Sequence, residues 1–154
     1  MNFTNVRVEP FDVIGIDVGT TNENGQSSVD IPALWDRFIS EGISEKVTGK
    51  TDNTIYCVYT DYEKDHTRPY TALLGCRVVK PSIVPDGMVY KTIQGGSYHK
   101  HVVAGNIFQG IVFEAWKKIW AGNEPRAFTA DFEVYGEKAV NPEKAEIDIL
   151  IAVK

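Results

Sequence analysis

The residues best suited to chemistry in this chain are Asp131, Glu133 and Tyr135, which alternate along the stretch Arg126–Tyr135. The two-residue period of a β-strand places these side chains on one face and a set of apolar side chains on the other. The apolar set is Phe128, Ala130, Phe132 and Val134. Carboxylates beside a phenol suit a cation, so the pattern predicts a strand with one core face and one ligand-binding face.

The next candidate strand, Ala145–Val153, alternates in the same way. A turn-rich connection over residues 136–144 joins the two strands, so they are predicted to form an antiparallel hairpin. We expect the isoleucines of the second strand to share the core face, and its carboxylates Glu146 and Asp148 to share the open face with Glu133.

Composition predicts one ordinary domain and excludes some classes of partner. The chain has 154 residues, 43% of them hydrophobic, a formal net charge of −5 and a pI of about 5.2. Phosphate-backbone binding needs a basic surface, so no direct nucleic-acid contact is expected. The chain shows neither a signal region nor a long apolar run, so we expect a cytoplasmic protein without membrane contact. Composition leaves open whether the protein is a monomer or a homodimer.

The elements that must position these residues follow from periodicity and turn signals. A helix is predicted to begin near Asp30, with Pro32 in its first turn, and a second helix over Asn106–Trp120. The other predicted strands are Phe11–Val18, Thr54–Tyr62, Tyr70–Val79, Met88–Ile93 and Ser97–Val103. The order strand, helix, hairpin therefore occurs twice.

Short similarities support a duplication. Residues 34–38 resemble residues 115–119, and residues 59–63 resemble residues 129–133. We therefore predict an α+β fold of duplicated strand–helix–strand–strand units related by a pseudo-twofold. Helices would cover one face of an antiparallel sheet, with a central ligand cleft. The single domain would span residues 1–154, with halves at about 1–80 and 86–154.

Three segments carry a resemblance to a known family: Tyr56–Glu63, Tyr70–Gly75 and Asp131–Tyr135. With the Trp35 helix and Pro85–Gly87, they resemble the GyrI-like effector-binding domains. Such domains occur in AraC-type and MerR-type regulators and as free-standing proteins, and this combination of motifs is close to the free-standing members from integron gene cassettes. The resemblance covers the chain from Phe11 to Lys154.

The resemblance implies a central pocket for lipophilic, often cationic compounds, in which a buried glutamate among aromatic rings meets the cation. Glu133 matches that position, and its face neighbour Tyr135 follows it. The other candidate ligand-binding residues are Trp35, Tyr59, Trp116 and Tyr98. For the two tryptophans, packing in the core is as strongly expected as ligand binding. Tyr98 is expected either to line the pocket or to support the sheet.

No metal, cofactor or nucleotide site is expected. His99 and His101 share one side of a strand, but no third ligand has matching spacing, so surface positions are predicted for both. Cys57 lies opposite Cys76 if Asp61 pairs with Ala72, yet reduced, packed thiols are favoured in a cytoplasmic chain.

Three functions remain open at this level. The favoured one is a free-standing binding protein for amphiphilic cations, which sequesters them or senses them for a regulator. The second is a GyrI-like hydrolase of electrophilic small molecules, with Glu133 as general base and Tyr135 as a positioning hydroxyl. The third is a protein-interaction inhibitor of the gyrase-inhibitor type, which implies a protein partner.

Overall fold

A computed structural model describes residues 3–79 and 83–154. In these ranges eight strands form one antiparallel sheet, accompanied by three α-helices, two of them long. The strands are β1 Thr4–Val8, β2 Phe11–Thr20, β3 Lys50–Thr60, β4 Tyr70–Val78, β5 Val89–Ile93, β6 Gly96–Gly105, β7 Arg126–Tyr135 and β8 Ala145–Val153. The helices are α1 Ser27–Ser40, α2 Ile43–Lys46 and α3 Ile111–Ala121. In the described parts of the chain, no helix combines the length and apolar character needed to cross a membrane.

The strand order shows the internal symmetry of the fold. Across the sheet it runs β1-β6-β8-β7-β3-β4-β2-β5. Exchanging β2, β3 and β4 for β6, β7 and β8, and β5 for β1, gives the same order read from the other edge. Each unit therefore has a strand, a helix and a hairpin, which confirms the predicted duplicated α+β fold.

Most predicted elements are present, with shifted ends. The hairpin strands β7 and β8 have the predicted limits, whereas α1 begins earlier, at Ser27, so Pro32 lies in its second turn. Helix α3 begins only at Ile111, because Gly110 has a left-handed φ of 72° after a short 3-10 turn. Strand β1 was not predicted, since it is a short, largely exposed edge strand.

Two short connections curl the sheet strongly. Residues 9–10 join β1 to β2 and residues 94–95 join β5 to β6, although each pair of strands lies near opposite edges of the sheet. Two residues span at most about 10 Å, so the two edges meet at this corner. The helix-free face is thereby closed around a core that includes Phe11, Tyr98 and Phe132, with Phe11 and Phe132 ring centroids 5.2 Å apart.

The other face of the sheet carries the long helices. Leu34 and Phe38 of α1, and Ala115 and Ile119 of α3, are buried against it. Residues of both long helices line a cavity on this face of the sheet, and this cavity is the candidate site.

The register of the hairpin corrects the predicted distribution of its side chains. Glu133 pairs with Ile149 and Cys57, and Phe132 pairs with Leu150. The isoleucines of β8 therefore lie on the helix face with Glu133, and Asp148, opposite Val134, lies on the other face. The prediction that the isoleucines share a face with Phe132 was wrong, because alternation within a strand does not determine which faces of two strands coincide.

Strands β2 and β4 approach each other closely where two glycines pair. Gly15 pairs with Gly75, and a Cβ at Gly15 would lie 2.0 Å from the Leu74 carbonyl oxygen. We expect Gly15→Ala to lower the free energy of unfolding by about 3 kcal/mol, because the strands must separate. Urea denaturation measures this change. Gly19→Ala in the same strand is the control, since a Cβ there meets nothing within 4 Å; equal stability of the two variants would contradict the prediction.

Candidate functional site

A cavity of about 350 Å³ lies on the helix face of the sheet, between α1 and α3. Its wall is mostly aromatic and aliphatic, with one carboxylate. The lining residues are Asn22, Ser27, Ser28, Ile31, Pro32, Trp35, Tyr59, Tyr62, His66, Tyr70, Val112, Phe113, Trp116, Trp120, Glu133 and Tyr135. A volume of this size is in the range of small-molecule sites.

Glu133 forms the polar centre of the cavity wall. It lies on β7, between β3 and β8, and is only 2% exposed. Its Oε2 accepts hydrogen bonds from the Tyr59 hydroxyl at 2.8 Å and from Trp116 Nε1 at 2.7 Å. Its Oε1 accepts one from the Tyr135 hydroxyl at 2.5 Å. Three neutral donors thus fix the carboxylate in place.

The electrostatics of Glu133 are those of an unpaired buried charge. Burial raises the pKa of Glu133, because a low-dielectric surrounding disfavours the charged form, while the three hydrogen bonds act in the opposite direction. Within residues 3–79 and 83–154, no cationic side chain contributes to this balance. The carboxylate is therefore satisfied in its hydrogen bonds but not neutralised in its charge.

Aromatic rings surround this carboxylate. Tyr59 and Trp116 meet edge-to-face with ring centroids 5.3 Å apart, and Trp35 meets Tyr135 at 4.9 Å. Trp120 continues the wall, 6.4 Å from Trp116. All three tryptophans of the chain line the cavity, so their fluorescence can report on its contents.

A buried ion pair lies behind one end of the cavity. Arg126 Nη2 donates to Asp131 Oδ2 at 2.7 Å, and these residues are 7% and 0% exposed. The hydroxyl of Tyr62 donates to the same oxygen at 2.6 Å, and the Ala152 amide donates to Oδ1 at 2.9 Å. Burial raises the pKa of Asp131, and Arg126 is the main opposing cause. Sequence reasoning placed Asp131 on the correct face but did not identify its partner.

Strand β7 is irregular where this ion pair forms. Its register with β8 shifts between Arg126 and Asp131, and Phe128 has a left-handed φ of 57°. Phe128 consequently contacts Tyr62, with ring centroids 5.4 Å apart, and lies under the Arg126 guanidinium at 4.3 Å. The prediction that Phe128 shares the face of Phe132 was wrong, because the bulge breaks the alternation.

Five of the six predicted ligand-binding residues line the cavity: Trp35, Tyr59, Trp116, Glu133 and Tyr135. Tyr98 does not, since it lies on the helix-free face, where its ring contacts Phe132 and its hydroxyl donates to the Gln94 carbonyl at 2.6 Å. Tyr98 therefore braces the sheet. Several lining residues were not predicted, among them His66, whose loop position gave no periodic signal.

The two histidines predicted at the surface are buried. His99 and His101 are 7% and 1% exposed, and both contact one oxygen of Glu124, at 2.7 and 2.8 Å. Glu124 comes from the loop before β7, so no local spacing indicated the contact. Among the residues that the structure describes, no cluster of three or more histidine, cysteine or acidic side chains is suited to hold a metal ion.

The cysteines are buried free thiols. Cys57 pairs with Leu74 and Ile55 pairs with Cys76, so the cysteines are not opposite each other. The register that would have aligned them is shifted by two residues.

Comparison with known proteins places this fold and cavity in context. Residues 6–153 match the family model for the integron-associated effector binding protein. Over 127 residues the chain is 30% identical to YobU, a proposed transcriptional regulator of Bacillus subtilis (strain 168), covering 80% of this chain and 79% of YobU.

Solved structures share the architecture. An integron cassette protein from the mobile metagenome of Vibrio cholerae has a TM-score of 0.78 at 27% identity, covering 99% of this chain and 95% of that one. The structure of SAV2435 bound to tetraphenylphosphonium also has a TM-score of 0.78, at 17% identity, with 100% and 94% coverage. At that identity the second likeness shows the fold alone. On the family match over nearly its whole length, this chain belongs to the family of integron-associated effector-binding proteins.

Proposed function

We propose that this protein binds lipophilic aromatic cations in the cavity, with Glu133 as the partner of the positive charge, and thereby sequesters such compounds or senses them for a regulatory partner. The observation that carries the proposal is the state of Glu133: it is 2% exposed, and among the described residues no cation opposes it. An unpaired buried charge is costly, and an entering cation removes that cost.

The remaining wall favours aromatic and apolar ligands. Burial of about 200 Å² of ligand surface would contribute about 5 kcal/mol at 25 cal/mol per Å². A desolvated cation over an aromatic ring adds about 2 kcal/mol. Affinity would therefore come mainly from apolar contact, while Glu133 would select for charge.

The comparisons support this assignment. SAV2435, which has the same fold, is bound to tetraphenylphosphonium, a large aromatic cation. The family is described as effector-binding, and YobU as a proposed regulator, which supports a sensing role. Binding also fits the site better than hydrolysis does. A carboxylate offers about four acceptor positions, and three at Glu133 are already occupied by protein donors.

The test is a pair of ligands that differ only in charge. The protein is titrated with a biphenyl trimethylammonium ion and with its tert-butyl analogue, which has the same shape, while tryptophan fluorescence is followed. We expect the cation to bind at least tenfold more tightly, or about 1.4 kcal/mol, because only the cation pairs with Glu133. Equal affinity for the two ligands would refute the proposal.

A further inference from the structure

The cavity wall also carries His66, a polar residue that the recognition of a cation does not use. His66 lies in the loop between β3 and β4, and its ring stacks on Trp120 with centroids 5.9 Å apart and planes 9° apart. Trp120 adjoins Trp116, whose Nε1 donates to Glu133. The two tryptophan rings therefore separate His66 from the carboxylate along one wall.

The neighbours of His66 determine which of its nitrogens carries the proton. Arg126 Nη1 lies 3.4 Å from His66 Nδ1. A guanidinium only donates hydrogen bonds, so Nδ1 must accept, and the proton of the neutral ring is on Nε2. Burial, followed by the charge of Arg126, lowers the pKa of His66 and so favours the neutral ring. Because Asp131 also holds Arg126, at 2.7 Å, the tautomer is fixed by a rigid group.

The proton on Nε2 leaves this nitrogen as a hydrogen-bond donor on a half-buried residue that lines the cavity. In the parts of the chain that the structure describes, the hydrogen bonds of His66 are made by its carbonyl oxygen and by Nδ1, and none is made by Nε2. A hydrogen-bond donor without a protein partner at the wall of a ligand cavity is available to a ligand acceptor.

The loop that carries His66 is held in place by polar contacts. Asn22 Nδ2 donates to the His66 carbonyl oxygen at 2.9 Å, and the Tyr70 hydroxyl donates to Asn22 Oδ1 at 2.7 Å. Arg68 forms ion pairs with Glu63 at 2.9 Å and with Glu23 at 3.3 Å. The donor is thus positioned before a ligand enters, which lowers the entropic cost of binding.

We infer that His66 is a second recognition point, whose Nε2–H donates to a neutral acceptor, such as a carbonyl oxygen, on the end of the ligand remote from its cation. The ligand class is then an elongated aromatic cation with an acceptor at its far end, and the cationic part of this assignment rests on the proposed function. An anionic acceptor gains no special advantage, because Asp131 already balances the charge of Arg126.

The experiment compares two biphenyl trimethylammonium ions that carry, on the far ring, either a para acetyl group or the isosteric isopropenyl group. We expect the protein to prefer the acetyl compound by about fivefold, the effect of one ordinary hydrogen bond. His66→Phe keeps a flat ring against Trp120 but lacks the donor, so the ratio of the two affinities measured in this variant should fall to about one. His66→Gln, whose amide both accepts and donates, should retain part of the preference.

Two results would overturn the inference: equal affinity of the unmodified protein for both compounds, or an acetyl preference that persists in His66→Phe. Nitrogen NMR of the imidazole ring gives a test that needs neither variant nor ligand, and a proton on Nδ1 would also overturn it. The same pair with tert-butyl in place of trimethylammonium separates the two proposals. If the acetyl compounds bind more tightly than the isopropenyl compounds, but the trimethylammonium compounds bind no more tightly than their tert-butyl analogues, only the proposed function is refuted. If the trimethylammonium compounds bind more tightly than their tert-butyl analogues, but acetyl and isopropenyl compounds bind equally, only this inference is refuted.

Discussion

Glu133→Gln is expected to weaken the binding of biphenyl trimethylammonium by about 10- to 100-fold, or about 1.4–2.8 kcal/mol. The affinity for the tert-butyl analogue should not change. Glutamine has nearly the same shape, and its carbonyl can still accept from Tyr59 and Trp116 while its amide donates to the Tyr135 hydroxyl. The substitution therefore removes the charge and little else. Tryptophan fluorescence titration measures both affinities.

The pH dependence of the same titration gives a second readout. The cation pairs with the ionised form of Glu133, and burial raises the pKa of this group. Cation affinity should therefore fall as the pH is lowered through that pKa, which lies above the ordinary value of a glutamate, and should be lost at lower pH. The tert-butyl analogue, and both ligands with Glu133→Gln, should show no such change.

Glu146→Gln is the matched control for this effect. Glu146 belongs to the same hairpin, but its side chain is 38% exposed and pairs with Lys138 at 3.0 Å. Glu146→Gln removes the same unit of charge as Glu133→Gln without altering the cavity. The affinity for the cation should stay within about twofold of that of the unmodified protein, since a partly exposed charge is screened by solvent. If both variants weakened binding equally, the cation would be responding to net charge and not to a site.

Asp131→Asn should cause the largest loss of stability, about 3–5 kcal/mol in the free energy of unfolding. Asp131 and Arg126 are 0% and 7% exposed, so removal of one charge leaves the other buried without its partner. Urea denaturation at neutral pH, followed by circular dichroism, measures the change.

Asp61→Asn is the control for this substitution. Asp61 pairs with Lys91 at 2.7 Å, but their side chains are 55% and 38% exposed. Asp61 also has a left-handed φ of 51°, which asparagine tolerates well. We expect a change below about 1 kcal/mol. A similarly small change for Asp131→Asn would mean that the Arg126 guanidinium reaches water when its partner is removed.

Sequence reasoning predicted those parts of the site that periodicity controls. Alternation along Arg126–Tyr135 identified Glu133 and Tyr135 as neighbours on one face, and helical spacing identified α1 and α3 as amphipathic. The structure brings Trp35 and Trp116, one from each helix, to the same cavity. The local sequence pattern is sufficient to predict these positions because each of the side chains lies in a regular part of its strand or helix.

The features that were missed depend on register or on remote partners. A nine-residue connection does not fix how β7 pairs with β8, so the isoleucines were assigned to the wrong face. The bulge near Phe128, which aims Arg126 at Asp131, has no signature in the alternation itself. His99 and His101 were assigned to the surface because Glu124, their partner, lies more than twenty residues away in sequence.

The crossing of the outer strands between the two units constrains how the chain can fold during synthesis. Strand β1 is made first, yet it pairs with β6, where Thr4 meets Lys100. Strand β5 likewise leaves the second part of the chain to pair with β2 of the first. In a growing chain β1 therefore has its partner only after β6 has been translated, and β2 has its outer neighbour only after β5 has been translated. Closure through such distant contacts favours slow folding, in milliseconds to seconds, over rapid local assembly.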